Sequence, residues 1–201
     1  MKPSKYLIAA SLAAAACGAS AQNLVVNGSF EANSQPNGTW NIYNNLTGWT
    51  GNTDIELRNN VAGVAQNGVN YVELDTNKNM SISQLVTGFG EYTLSFWYSA
   101  REGVAAGSNG LNFSFGNLTG SLLQNTAGAS SGNSWQHFVG NVYLNGATAL
   151  TFAAVGVSDS YGASLDNVSV TAVPEAETYA MMLAGLGMIG TIVRRRKAKS
   201  V

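Results

Sequence analysis

The middle of the chain alternates apolar and polar residues over short runs. In Tyr92–Tyr98, Leu94 and Phe96 would face one side of an extended strand. Ser95 and Trp97 would face the other side. The same two-residue period recurs in segments 69–75, 80–86, 111–115, 135–144, 149–155 and 165–171.

Asn-Gly pairs predict turns between these strands, at 37–38, 67–68, 109–110 and 145–146. No helical pattern of ten residues occurs between 23 and 172. About nine or ten short strands in one domain predict an all-β fold, a two-sheet antiparallel jelly-roll sandwich. We assign residues 22–172 to this domain.

The first 21 residues predict a secretory signal peptide. Its parts are a basic start with Lys2 and Lys5, the apolar run 6–16 and the small residues 19–21. Cleavage is expected before Gln22. A lipoprotein signal is the alternative, and it would use Cys17. Ala14 then stands where such signals usually have leucine.

Cys17 is the only cysteine of the chain. Since it lies in the predicted leader, the mature protein would have no thiol for a disulfide, a metal or a nucleophile. Stability must come from the core or from a bound ion.

The last 29 residues, 173–201, have an order of parts typical of membrane insertion. A short polar motif, 173–177, precedes the apolar run 178–193 and the basic stretch 194–199. As a helix, the apolar run would span ~24 Å, near the lower limit for crossing a bilayer. We therefore predict a single transmembrane helix over 178–193, with the basic end in the cytoplasm and the domain outside.

This order of parts resembles the PEP-CTERM sorting signal of Gram-negative bacteria, which an exosortase in the inner membrane recognises and processes. The residues that carry the resemblance are Val173, Pro174, Glu175, Ala176, Arg194, Arg195 and Arg196. The motif of that family is Pro-Glu-Pro, so Ala176 replaces its second proline. A plain membrane anchor is the alternative, but anchoring does not require a Pro-Glu step before the helix. Pro174 restrains Val173 to extended angles, which suits a peptide bound in a protease cleft.

Charges are segregated along the chain. Between 22 and 173 there are nine carboxylates and three bases, a net charge of −6. Most of the basic residues lie at the two ends of the chain. Such a domain has no basic surface for nucleic acid, so we expect no nucleic-acid partner.

Four segments of the domain resemble the galactose-binding-like jelly roll of bacterial carbohydrate-binding modules. They are the opening 23–31, the segment 68–75 with the later 81–84, the strand 92–101 and the closing 164–170. The resemblance implies a structural calcium ion near the two chain ends, with Glu31 and Asp166 as ligands and Asn27 as a weaker one. The alternative is that Glu31 and Asp166 accept hydrogen bonds from main-chain amides of turns.

Sugar binding needs flat aromatic platforms beside hydrogen-bonding side chains. Trp97 lies on the polar face of its strand and is the best single candidate. Tyr71 and Glu73 would supply a second platform and an acceptor if their strand is a neighbour. Trp97 could instead cover the sheet under a loop, and Trp40 and Trp49 could anchor loops.

Catalytic residues are scarce in the domain. Glu73 and Asp75 would lie ~7 Å apart on one strand face, a distance compatible with a glycosidase pair, but such pairs usually face each other across a cleft. His137 is the only histidine, it shares a strand face with Trp135, and no catalytic triad can be assembled. The sequence predicts a protein that is not an enzyme.

Together these features predict an exported protein, sorted by exosortase through an inner-membrane intermediate to the cell surface or the medium. The resemblance to PEP-CTERM proteins implies a place in an exopolysaccharide or biofilm matrix, with a glycan as partner. The alternatives are a structural or adhesion protein that binds other proteins and, less favoured, a secreted carbohydrate-active enzyme.

Overall fold

The computed structural model describes residues 22–174 and 183–191. The predicted signal peptide, residues 175–182 and the basic residues of the tail lie outside the described residues. Gln22–Ala172 forms one compact unit.

Eight strands make up this unit. They are β1 Thr39–Leu46, β2 Trp49–Asn59, β3 Asn70–Glu73, β4 Ser81–Ser99, β5 Gly110–Phe115, β6 Leu118–Leu122, β7 Gln136–Val155 and β8 Ser164–Ala172. Between 22 and 174 the only helical element is a single 3-10 turn, Ala106–Ser108. All strand pairs are antiparallel, in the order β1-β2-β3-β8-β4-β7-β5-β6. The mostly-β, sandwich-like fold agrees with the prediction.

Two long strands replace four of the predicted short ones. β4 and β7 pair with each other from Ser81 opposite Ala153 to Tyr98 opposite Gln136. The predicted turn at 145–146 is therefore wrong, because the chain stays paired there. Gly146 has φ +120°, and nothing in the described residues lies within 4 Å of an added Cβ, so the paired strand departs here from extended geometry at a position where other residues would be strained.

The long strands join the two layers of the sandwich into one continuous sheet. One end of β4 pairs with β8 over 92–99, and its other end pairs with β2 at 82–83. Since β2 also pairs with β3, and β3 with β8, the pairings β2–β3–β8–β4–β2 form a closed circuit. The two separate sheets of the prediction are thus linked through shared strands.

Aromatic side chains fill the space between the layers. Phe96 contacts Phe152 and Phe113, with ring centroids 4.8 and 5.2 Å apart. Trp49 lies 5.7 Å from Phe30 and is only 1% exposed, so it is a core residue and not a loop anchor. Burial of each such side chain stabilises the fold by about 2–3 kcal/mol.

Part of the tail is described. Val173 is half-buried, Pro174 is exposed, and residues 183–191 form a helix. Among the described residues no helix is both long and apolar enough to cross a membrane. The other residues of the predicted motif, Glu175, Ala176 and Arg194–Arg196, lie outside the described part of the chain.

Candidate functional site

Two rows of side chains, with three charged residues among them, lie on the outer face of β1, β2 and β3. Cross-strand partners share one face of an antiparallel sheet, so the register sets which side chains meet. Two rows result, with Trp40, Arg58 and Tyr71 in one and Ile42, Glu56 and Glu73 in the other. The opposite face carries core residues such as Leu57 and Val72, both fully buried. The charged side chains therefore lie on the face of these strands that is opposite the core.

Glu73 is the centre of a buried charge network. Its Oε1 accepts a hydrogen bond from Nη1 of Arg101 at 2.8 Å, and its Oε2 lies 3.0 Å from Nη1 of Arg58. Arg58 Nε donates to Glu56 Oε1 at 2.5 Å. The main-chain N–H of Gly162 donates to Glu73 at 3.2 Å. Burial raises the pKa of Glu73 to about 7, although the two guanidinium groups lower it.

A groove of about 240 Å³ opens above this network. Trp40, which is 53% exposed, and Tyr161, which is 47% exposed, are among the residues that line it. The guanidinium carbon of Arg101 lies 4.3 Å from the centroid of the Tyr161 ring, a cation–π contact. Asn77 and Ser160 add exposed polar groups. The groove therefore combines aromatic faces with hydrogen-bonding groups, as sugar recognition requires.

A second groove of about 300 Å³ is also lined by Arg101 and Tyr161. Asp159 lines it too, and its Oδ2 accepts a hydrogen bond from the Ser108 hydroxyl at 2.7 Å. The main-chain N–H of Tyr161 donates to Asp159 Oδ1 at 3.2 Å. The loop that carries Tyr161 is therefore held from below by a carboxylate.

The prediction that Tyr71 and Glu73 contact a glycan is wrong for this structure, because neither residue has any exposed surface. The loop 60–68 lies over Tyr71, whose hydroxyl donates to the carbonyl of Val61. The edge of its ring packs at 5.8 Å against Trp135, and burial raises its pKa. Nor is β3 a neighbour of β4, because β8 lies between them.

Trp97 lies on the outer face of β4, as its strand pattern predicts, and is half-buried. It stacks on its cross-strand partner His137, with ring centroids 4.4 Å apart and planes 9° from parallel. His137 Nε2 and the Ser95 hydroxyl are 2.7 Å apart. Trp97 does not line the groove with Trp40 and Tyr161. Its role as a separate glycan platform stays a prediction.

Two of the predicted calcium ligands hold the two halves of one loop. Asp166 Oδ2 accepts main-chain hydrogen bonds from residues 66 and 67, at 2.8 and 2.9 Å, and Oδ1 accepts one from Asn167 at 2.6 Å. Glu31 Oε1 accepts from the main chain of residues 69 and 70, at 2.8 and 2.7 Å. This is the alternative arrangement, in which both carboxylates bind turn amides. Burial raises the pKa of Asp166 to about 7, and its three hydrogen bonds lower it.

The donor set does not fit a cation in this arrangement. The third predicted ligand, Asn27, also accepts a main-chain hydrogen bond on its Oδ1, from Ala32 at 2.9 Å. Amide N–H groups direct positive charge at the oxygens that a calcium ion would need. Within the described ranges, no three His, Cys, Asp or Glu side chains lie close enough to hold a metal. The calcium site predicted from the sequence is untested, and the described contacts favour its alternative, in which both carboxylates bind turn amides.

The predicted carboxylate pair of a hydrolase is not open to a substrate. Asp75, like Glu73, is fully buried. Its Oδ2 accepts from the main-chain N–H of Asp159 at 3.0 Å, and its Oδ1 accepts from the Ser158 hydroxyl at 3.4 Å. The two carboxylates hold loops in place.

Sequence reasoning missed Trp40, Arg58, Arg101 and Tyr161 as groove residues. One signal was available, because Ile55 and Leu57 alternate with charged side chains in a strand-like period within 54–58. The contribution of Tyr161 had no such signal, since it lies in the loop before β8.

Solved structures of carbohydrate-binding modules are similar to this chain. CBM35 from Paenibacillus barcinonensis aligns over 68% of this chain and 100% of its own, at 19% identity and a TM-score of 0.42. TmCBM61, solved in complex with beta-1,4-galactotriose, aligns over 76% and 99%, at 18% identity and a TM-score of 0.43. The CBM22-1 xylan-binding domain from Paenibacillus barcinonensis Xyn10C aligns over 78% and 98%, at 17% identity and a TM-score of 0.44. These alignments concern the fold alone.

The tail gives a sharper comparison. Residues 172–197 match the family described as the PEP-CTERM protein-sorting motif. The chain therefore carries a PEP-CTERM motif, as predicted, with alanine at 176 in place of the second proline. No curated protein sequence matches this chain significantly.

Proposed function

We propose that this protein is exported, is processed by an exosortase at its PEP-CTERM motif, and binds a glycan in the groove of Trp40 and Tyr161. It acts without catalysis, at the cell surface or in an exopolysaccharide matrix. The match of residues 172–197 supports sorting, and the exposed aromatic pair above a polar floor supports glycan binding.

The sorting route follows from the two ends of the chain. The signal peptide directs export, and the apolar segment 178–193 holds the protein in the inner membrane until the exosortase acts. Arg194–Arg196 keep the end of the tail on the cytoplasmic side, because arginine is retained there. Cleavage would then free the domain from the membrane.

Charge favours a neutral glycan. The guanidinium groups of Arg58 and Arg101 already face the carboxylates of Glu56 and Glu73. The domain as a whole carries a net charge of −6 between 22 and 173, which repels polyanions. A neutral pyranose would place its C–H face on an aromatic ring and its hydroxyl groups on Arg101, Asn77 and Ser160.

Glycan binding is tested with the chain that follows the predicted leader, 22–201, on an array of neutral and uronic-acid oligosaccharides, and the ligands found are then measured by titration calorimetry. Trp40→Ala should weaken binding by about 2 kcal/mol, about 30-fold, because it removes an exposed stacking face. Tyr161→Ala should also weaken it. Trp97→Ala tests the other predicted platform, since it removes an outward tryptophan that does not line the groove.

The outcome separates the two aromatic sites. Loss of binding on Trp40→Ala with retention on Trp97→Ala supports the groove. The reverse result would place the glycan at the predicted Trp97 platform. Unchanged binding in both variants, or no glycan bound at all, would refute glycan recognition by either tryptophan.

Sorting is tested by the intact mass of the protein in each cell fraction, with and without the exosortase. An extracellular species that lacks 178–201 and disappears without the enzyme supports processing. A membrane species that keeps Arg194–Val201 in both strains would mean that the tail is a plain anchor.

A further inference from the structure

The chain enters and leaves the domain at the same end. Asn23 forms a β-bridge with Thr171, and the N–H of Leu24 donates to the carbonyl of Val170 at 2.8 Å. Ala172, the last residue of β8, pairs with Tyr92 of β4. Both predicted membrane-seeking segments, the leader and the tail, are therefore joined to this end of the domain.

Beyond Tyr92, β4 and β7 continue as a two-stranded ribbon formed by residues 85–91 and 143–149. We call this the corner ribbon. Among the described residues no third strand pairs with it, because β8 pairs with β4 only from Tyr92 and β5 pairs with β7 only from Leu150. Its inner side chains, Val86 and Leu144, are 1% exposed and pack in the core.

The outer side of the corner ribbon is apolar and exposed. Phe89 is 74% exposed, Leu85 68% and Tyr143 65%. The outward positions between them carry Thr87, Asn145, Ala147 and Ala149. Glu91 is the one charged side chain among them. A mixed apolar and aromatic surface with few charges suits the interface of a lipid bilayer.

The segment between Ala172 and Thr178 tethers the domain to the predicted apolar segment, and its length limits how far the corner ribbon can lie from the membrane. Six residues lead from Ala172 to Thr178, where the predicted apolar segment begins, and even a fully extended chain of that length spans at most about 22 Å. The groove lies beyond both ends of β4, since Asn77 precedes Ser81 and Arg101 follows Ser99, whereas the corner ribbon is formed by the middle of the strand.

We propose that, while the tail tethers the protein, the corner ribbon rests on the bilayer surface with Phe89 and Tyr143 at the level of the lipid headgroups. The glycan groove then faces away from the membrane. This inference rests on the membrane-tethered stage of the proposed function, and it adds a lipid-binding surface on the domain itself.

The test uses the tethered form of the protein, 22–201, in vesicles of phosphatidylethanolamine and phosphatidylglycerol. Since the only native cysteine lies in the leader, Phe89→Cys and Tyr143→Cys each give a single site for an environment-sensitive dye. Val64→Cys is the matched control, because Val64 is apolar and 63% exposed. The carbonyl of Val64 accepts a hydrogen bond from Trp135 Nε1. The neighbouring Ser134 N–H donates to the hydroxyl of Ser99 at the end of β4, so Val64 lies far from the corner ribbon.

Dye at 89 and 143 should show blue-shifted emission in vesicles and lose that emission when quencher-labelled lipids are added. Dye at 64 should show neither change. Alkaline carbonate extraction of the same samples reports whether the tail is inserted.

Aqueous-like emission at 89 and 143 with an inserted tail would overturn the lipid surface and leave the sorting proposal standing. Extraction of the whole chain by carbonate would overturn the membrane stage, and the inference with it. A blue shift that depends on protein concentration without vesicles would mean that a second copy of the chain occupies the ribbon instead.

Discussion

Glu73 gives the most demanding test of the buried charge network. The substitution Glu73→Gln keeps the size and shape of the side chain but removes its ability to ionise. The native carboxyl is fully buried and lies between Arg58 and Arg101. Its ordinary pKa is 4.5, and burial raises the folded value to about 7 despite the two arginines.

The direction of the pH effect follows from these two values. Between pH 4.5 and 7 the folded protein holds a proton on Glu73 that the unfolded chain has lost. Stability from this group is therefore complete below pH 4.5 and falls as the pH rises through 7. The difference between a pKa of 4.5 and one of about 7 corresponds to about 3 kcal/mol, most of which is lost between pH 5 and 8. The free energy of unfolding of the native chain should fall by about 2 kcal/mol relative to Glu73→Gln over this range.

The assay is urea unfolding of both chains, monitored by tryptophan fluorescence, at half-unit steps from pH 5 to 8. Glu91→Gln is the control, because Glu91 is an exposed carboxylate on β4, and its difference from the native chain should stay constant. The reasoning would be refuted if the native chain became more stable relative to Glu73→Gln, by its free energy of unfolding, as the pH rises. It would mean that Arg58 and Arg101 outweigh the cost of burial.

Three further predictions concern the loops and the bend. Asp166→Asn should lower the free energy of unfolding by about 2 kcal/mol, because an amide NH2 would face main-chain donors, and it should speed proteolysis within 60–69. An unchanged urea midpoint would contradict the role of Asp166 in holding this loop. Gly146→Ala should cost about 1–2 kcal/mol by thermal melting, from the positive φ alone, since nothing lies within 4 Å of an added Cβ; a neutral result would mean that the bend relaxes. Millimolar calcium should leave the melting temperature equal to that in a chelator, whereas a rise that Glu31→Gln abolishes would restore the predicted calcium site.

Strand alternation made the all-β domain predictable. Leu94 and Phe96 are buried, and Trp97 faces outward, as the period of two requires. The number of strands was not predictable, because Asn145-Gly146 is equally suited to a hairpin turn and to a bend inside a paired strand. Only the partner strand decides between these two outcomes.

The site was less predictable because it depends on long-range contacts. Tyr71 is an aromatic residue of the kind that forms a glycan platform, but the loop 60–68 covers it. Trp40 lies in an asparagine-rich segment without a clear period, and its exposure follows from the position of β1 at the sheet edge. Arg101 and Tyr161 are sixty residues apart and meet only because β4 and β8 are neighbours.

Buried carboxylates explain how an exported domain without a disulfide keeps its groove in shape. Asp75 and Glu73 accept main-chain hydrogen bonds from residues 159 and 162, on both sides of Tyr161. Asn109 fixes the loop of Arg101 by accepting from its main-chain N–H at 2.9 Å. Each of these contacts fixes the main chain at or beside a groove residue before any ligand arrives. Since immobilising a side chain on binding costs about 0.5–1.5 kcal/mol, a groove ordered in advance binds a weakly held ligand such as a sugar more tightly.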